Sequence, residues 1–161
     1  MAKGGRSLFS VTTVFASFFG AALIAGAFAY FNYKFSEYKF IDFGEWVFYE
    51  KSDIFRPADD KYIVVLYSSK DKNTQDVISN VNAPYKVIAI DFYQNSFENT
   101  KNTIFLRSGT NTNLKFIQRF NIYHSPSIFI IKKIKDTLYK QDSMIRELDT
   151  LEQIDKKIKE L

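Results

Sequence analysis

Ser68, Ser69, Ser125 and His124 are the residues of this chain whose types suit nucleophilic chemistry, because His124 is the only histidine and there is no cysteine among 161 residues. The missing thiol excludes disulfides, thiolate nucleophiles and thiolate metal sites. A serine nucleophile needs a base held by a third group within hydrogen-bond range. No strand-to-helix elbow and no acid partner surrounds these serines. A lone histidine in a loop reads as a surface or packing residue. One histidine with scattered carboxylates also lacks any metal-ligand spacing. The expectation is no catalytic residue, no metal and no cofactor.

The elements that must position these residues follow from hydrophobic pattern. "YIVVLYSS" (62–69) is a continuous apolar run, the signature of a strand buried on both faces, with both serines at its end. "DKNTQDVISNVN" (71–82) sets Val77, Ile78 and Val81 at helical spacing and stops before Pro84. "KVIAIDFY" (86–93) is a second buried strand, so the unit predicts a parallel crossover that puts Ser68 and Ser69 on the ligand side of the sheet. Upstream, "DFGEWVFYE" (42–50) reads as a first strand and "SDIFRPADD" (52–60) breaks it. Downstream, "TNLKFIQRFNI" (112–122) predicts a helix with Leu114, Ile117 and Phe120 on one face. "PSIFIIKK", a turn at "KIKD" and "TLYKQDS" predict an antiparallel hairpin over 126–143. "DTLEQIDKKIKEL" (149–161) opens on an Asp149/Glu152 capping box and repeats Leu151, Ile154, Ile158 and Leu161 on one helical face. Seventeen phenylalanines against one tryptophan predict a core filled largely by phenylalanine.

The order strand, strand, helix, strand, helix, strand, strand, helix over 42–161, with "RFNIYHSPSIFII" at the head of the hairpin, resembles the thioredoxin family. The resemblance implies an α/β fold, a thioredoxin-like mixed sheet with flanking helices, and a cis Ser125–Pro126 bond. It also places Asp71 to Thr74 roughly where the family carries its reactive cysteines, which implies a member without redox chemistry. In relatives the backbone beside the proline pairs with an extended client segment, so Ser125 and Pro126 become candidate partner-binding residues. "NSFENTKNTIFLRSGTNTN" (95–113) is longer than the family's connection. Its apolar Ile104, Phe105 and Leu106, bracketed by polar residues, could form a docking surface or an additional edge strand, with partner contact and local packing equally weighted.

Between Arg6 and Lys34 no residue is charged, and the run exceeds the roughly 20 residues that cross a bilayer as a helix. Lys3 and Arg6 before it place the N-terminus in the cytoplasm and the rest outside. The expected organisation is a cytoplasmic segment 1–6, a transmembrane helix 7–33, a linker 34–41 and a domain 42–161. "AFA" at 27–29 also matches a signal-peptidase pattern, so cleavage after Ala29 is the competing reading. Tyr30, Phe31, Tyr33, Phe35 and Tyr38 suit an interfacial aromatic belt. Of the formal net charge of +4, Lys3, Arg6 and Lys34 supply three, so the remainder is near neutral and no nucleic-acid partner is expected. No small-molecule substrate is expected either.

Usage rich in Lys, Asn, Ile and Phe outside the anchor resembles proteins of AT-rich bacterial genomes. Some of these bacteria build flagellar motors with extra scaffold proteins outside the inner membrane, and a small anchored domain is similar to those parts. The resemblance implies a non-catalytic periplasmic domain on the bacterial inner membrane, with other envelope proteins as partners in a flagellar motor scaffold. A membrane-anchored, peptide-binding or chaperone-like domain is the alternative.

Overall fold

The computed structural model describes residues 10–37, 39–95 and 97–161, and the side chains of all of these but 35–37. Lys3, Arg6, Tyr38, the Ser7 start of the expected span, the Phe35 side chain and Ser96 therefore lie outside the described residues. The chain divides into two units, residues 1–38 and 39–161.

In the first unit, helix α1 runs Val11–Glu37. Ser10 starts it by accepting the Thr13 N–H on its Oγ at 3.2 Å, which satisfies one donor that the first turn leaves open. Ser17 donates its hydroxyl to the Thr13 carbonyl at 2.9 Å, so a polar group inside the apolar run is satisfied by the helix itself. The apolar span Val11–Lys34 covers 24 residues, and Phe15, Phe18 and Phe19 stand exposed on it. At 1.5 Å per residue the span is about 36 Å, long and apolar enough to cross a membrane.

The second unit is a mixed α/β structure built on one sheet. Its elements are β1 (Phe40–Asp42), β2 (Phe48–Glu50), β3 (Asp53–Ile54), β4 (Lys61–Tyr67), α2 (Thr74–Ser79), β5 (Lys86–Asp91), β6 (Thr103–Ser108), α3 (Thr110–Phe120), β7 (Ser127–Lys135), β8 (Leu138–Gln141), β9 (Arg146–Glu147), a 3-10 turn (Leu151–Gln153) and α4 (Ile154–Ile158). Strand order is β1-β8-β7-β4-β5-β6-β2-β3, with β9 also on β7. β5 pairs in parallel with both β4 and β6, while β4–β7, β7–β8, β1–β8 and β2–β6 are antiparallel.

Because side chains alternate across a strand, the apolar runs in the middle of the sheet feed two cores. Val64, Leu66, Ile88, Ile90, Leu106, Phe129 and Ile131 meet Phe116 and Phe120 of α3 on one face. Ile63, Val65, Val87, Ala89, Phe105, Ile128 and Ile130 meet Ile78 of α2 and Leu151, Ile154 and Ile158 on the other. The first core is rich in phenylalanine: Phe116, Phe120 and Phe129 lie with ring centroids 4.9–6.3 Å apart. Burying each such ring contributes about 1.5–3 kcal/mol.

Several expectations need correction. The stretch 42–50 is not one strand: the Asp42 carboxylate captures the Gly44 N–H at 2.8 Å and the Thr137 hydroxyl at 2.6 Å, turning the chain between β1 and β2. The α3 face is Asn113, Phe116 and Phe120, whereas Leu114 is 48% exposed. The reason is register, since Phe116 and Phe120 lie one turn apart and outweigh the shorter Leu114 in apolar area. No side-chain hydrogen bond caps the 3-10 turn or α4, so the Asp149/Glu152 capping box does not form. Leu151, Ile154 and Ile158 nonetheless bury as their spacing predicts.

At Ile104, Phe105 and Leu106 local packing wins over partner contact. They lie on β6, an interior strand between β5 and β2, and both Phe105 and Leu106 are 1% exposed. An exposed apolar docking patch is therefore not present there, nor is β6 an edge strand. The preceding connection is pinned: Asn99 donates to Glu50 and accepts the Phe105 N–H at 2.9 Å, and Phe97 packs on Phe105.

Candidate functional site

The C-terminal ends of β4 and β5 bring the candidate serines to one rim of the sheet. β4 and β5 are in parallel register, Leu66 beside Ile90 and Tyr67 beside Asp91, so the residues just beyond Tyr67 fall next to Asp91. The Asp91 carboxylate, 1% exposed, accepts the Ser69 N–H at 2.9 Å, the Ser69 hydroxyl at 2.8 Å and the Asn95 N–H at 2.8 Å. The Asn95 amide in turn donates to Ser69 Oγ at 2.7 Å. A buried carboxylate is tolerable only with such a set of donors. Chemically, the arrangement binds a loop to a strand end: Ser69 gives its proton to a carboxylate, and no imidazole lies between them.

Around this network some polar groups bond to the chain and others do not. Asn113, at the start of α3, donates weakly to the carbonyls of Asp91 and Phe92 at 3.4 and 3.3 Å. Thr74 donates its hydroxyl to the Asp71 carbonyl at 2.7 Å, fixing the turn that precedes α2. The Tyr67 hydroxyl is buried without a partner, and burial, then the negative charge of Asp91, pushes its ionisation well above the ordinary tyrosine range. Lys70 lies over the exposed Tyr93 ring at 4.0 Å.

The second rim segment is residues 121–127. Asn121 ends α3 in the left-handed region, φ 54°, and Ile122 then drops into the core. Tyr123, His124 and Ser125 are exposed, and the Ser125–Pro126 bond is cis. Ser127 donates its hydroxyl to the His124 carbonyl at 2.6 Å. The exposed His124 ring stands 3.9 Å from the Glu147 carboxylate. On the far side of Pro126, its carbonyl accepts the Leu148 N–H at 2.9 Å, and β9 pairs Glu147 with Ser127 and Arg146 with Ile128.

A cleft of about 380 Å³ opens beside the proline, lined by Asp71, Lys72, Ser125, Pro126, Asp149 and Glu152 among others. The structure thus brings Ser125 and Pro126 together with Asp71, while Phe105 and Leu106 are in the cores. The Thr150 side chain and the Glu152 backbone N–H hold the Glu152 carboxyl below the usual carboxylate range. Among the described residues, no three metal-ligating side chains converge.

Sequence reasoning misses Asp91, Asn95 and the 146–148 segment. The available signal is a single acid ending the apolar run "KVIAID", opposite the Ser-Ser end of the neighbouring strand. No family model, curated protein or solved structure matches the chain.

Proposed function

We propose that this chain is a non-catalytic, membrane-anchored interaction domain with a thioredoxin-like fold. In this reading α1 crosses the bacterial inner membrane once, residues 39–161 lie in the periplasm, and the domain is a structural part of a multiprotein envelope assembly. A flagellar motor scaffold is the specific assembly proposed, on the likeness of build and composition set out above.

One observation carries the reading. At the rim beside the positions where the resemblance would put chemistry, Asp91 is engaged with Ser69 and Asn95, and the Pro126 carbonyl with Leu148. The carboxylate that accepts the Ser69 hydroxyl is buried and also takes two backbone N–H groups, so it is committed to holding the loop rather than to abstracting a proton. The second reading, capture of extended peptides, is favoured by exposed Ser125 at the open cleft. Against it, the pairing edge of β7 beside the proline is already occupied by β9, and strand addition needs that edge free.

Purification of the tagged full chain from mild detergent, followed by mass spectrometry, separates the two. A scaffold returns a few proteins in fixed ratio; many unrelated clients at low occupancy would support the chaperone reading instead. A tag after Leu161 should be lost to external protease in intact spheroplasts. Its survival there would sink the proposed topology.

A further inference from the structure

Three cross-strand pairs line up lysines across the sheet at the end opposite the serine rim. Lys61 on β4 is opposite Lys132 on β7, Lys132 is opposite Lys140 on β8, and Lys140 is opposite Phe40 on β1. Residues directly opposite in antiparallel strands point to the same face, so these four side chains form one row. A register shift between Lys133 and Lys135 sets Lys135 opposite Leu138, which shares the face of Lys140. Like charges placed directly opposite are destabilising, so folding alone does not account for the row.

The acids close to it neutralise it only in part. Asp142 pairs with Lys61 at 2.8 Å, and Asp42, opposite Leu138 on the same face, accepts only the neutral Gly44 N–H and Thr137 hydroxyl and keeps its charge, so two acids stand against four lysines. Among the described residues, Lys132 and Lys135 have no acidic partner, and Lys140 leans over the Phe40 ring at 5.6 Å. Exposed Ile134 and half-buried Leu138 lie among the lysines, an apolar and basic mixture suited to a headgroup layer. The row also begins at Phe40, three residues after the last residue of α1, a separation that chain geometry limits to about 11 Å at most.

We infer that the face carrying Lys132, Lys135, Lys140 and Phe40 docks on the anionic phospholipid headgroups of the bilayer that α1 crosses. The inference rests on the membrane anchorage proposed above. Basic side chains next to a spanning helix are attracted to anionic lipid over about a Debye length, which the short connection does not exceed by much. Docking would hold the opposite rim, with Tyr123 and the cleft, toward other proteins.

Because the chain has no cysteine, Ile134→Cys gives a single labelling site, and Tyr123→Cys gives a control on the opposite rim. Each full-length variant carries an environment-sensitive fluorophore in nanodiscs of phosphatidylcholine, with or without phosphatidylglycerol at about one part in three. Headgroup-nitroxide lipid should quench the 134 label only when phosphatidylglycerol is present, and should leave the 123 label bright. Salt at about 1 M, where screening shortens to about 3 Å, should abolish the quenching. Lys132→Gln with Lys140→Gln should lower the docked-to-free ratio on the order of thirtyfold, and the paired Lys→Arg variant should retain it.

Quenching that ignores phosphatidylglycerol, or that survives the double Gln change, would overturn the inference. Loss of a co-purifying acidic protein from the Gln variant, without lipid-dependent quenching in the parent, would overturn it in favour of a protein partner. A chain that leaves both kinds of nanodisc would overturn the anchor and the docked face together. Retention in the disc with a dark 123 label and a bright 134 label would overturn the face alone.

Discussion

The two ends of the central strands treat polar groups in opposite ways. At the rim after Tyr67 and Asp91, a buried carboxylate, a serine and an asparagine satisfy one another within a single network. At the other end, Lys61, Lys132 and Lys140 stand opposite each other with one acid, Asp142, on the first of them. The first arrangement lowers the energy of the folded chain, because the buried Asp91 carboxylate finds its donors. The second raises it slightly. Satisfied polarity marks where the fold holds itself, and unsatisfied charge marks where something outside the chain is expected.

Changes at five residues would break or sharpen that contrast. Phe105→Ala, beneath the rim, should cost about 3–5 kcal/mol, read from urea denaturation of the detergent-solubilised chain by Trp46 fluorescence. Unchanged stability would restore the idea that 104–106 is an exposed contact segment. Asp91→Ala should cost about 3 kcal/mol, since two backbone N–H groups and a hydroxyl lose their acceptor, while Asp91→Asn should recover part of it. Full stability in Asp91→Ala would show that the rim network is not structural.

The tyrosines of β4 give a finer test. Tyr62 Oη accepts the N–H groups of Ala58 and Asp59, both at 2.9 Å, so Tyr62→Phe should cost about 1–3 kcal/mol. Tyr67→Phe removes a buried hydroxyl that has no partner and should be neutral or stabilising by about 1 kcal/mol. Burial raises the ionisation of Tyr62, Tyr67 and Tyr139 above their unfolded values. The folded chain therefore keeps protons that the unfolded chain loses, so stability should hold below about pH 10 and fall as pH rises above it. A urea midpoint that rises between about pH 9 and pH 11 would contradict this. The smallest effect is expected at the lysine row: Lys140→Gln relieves the opposition to Lys132 but loses the contact with the Phe40 ring, so stability should change by no more than roughly 0.5 kcal/mol, and a larger loss would mean that the row holds the fold together.

The sequence by itself determined the parts that depend on nearest neighbours in the chain. The uncharged run of α1, the buried runs of β4, β5 and β7, and the Leu151–Ile154–Ile158 stripe follow from local periodicity, which tertiary contacts only fill. The absence of thiol chemistry is likewise a matter of composition. Tertiary structure decided everything that pairs distant residues. Asp42 splits an apparent strand because Thr137, 95 residues away, reaches its carboxylate. "TIFLRS" is interior because β2 covers its outer edge, which no local pattern encodes. Asp91 meets Ser69 through the parallel register of β4 and β5. The lysine row needs the registers of β4, β7, β8 and β1 together, since a one-residue slip in any strand would send its side chain to the other face.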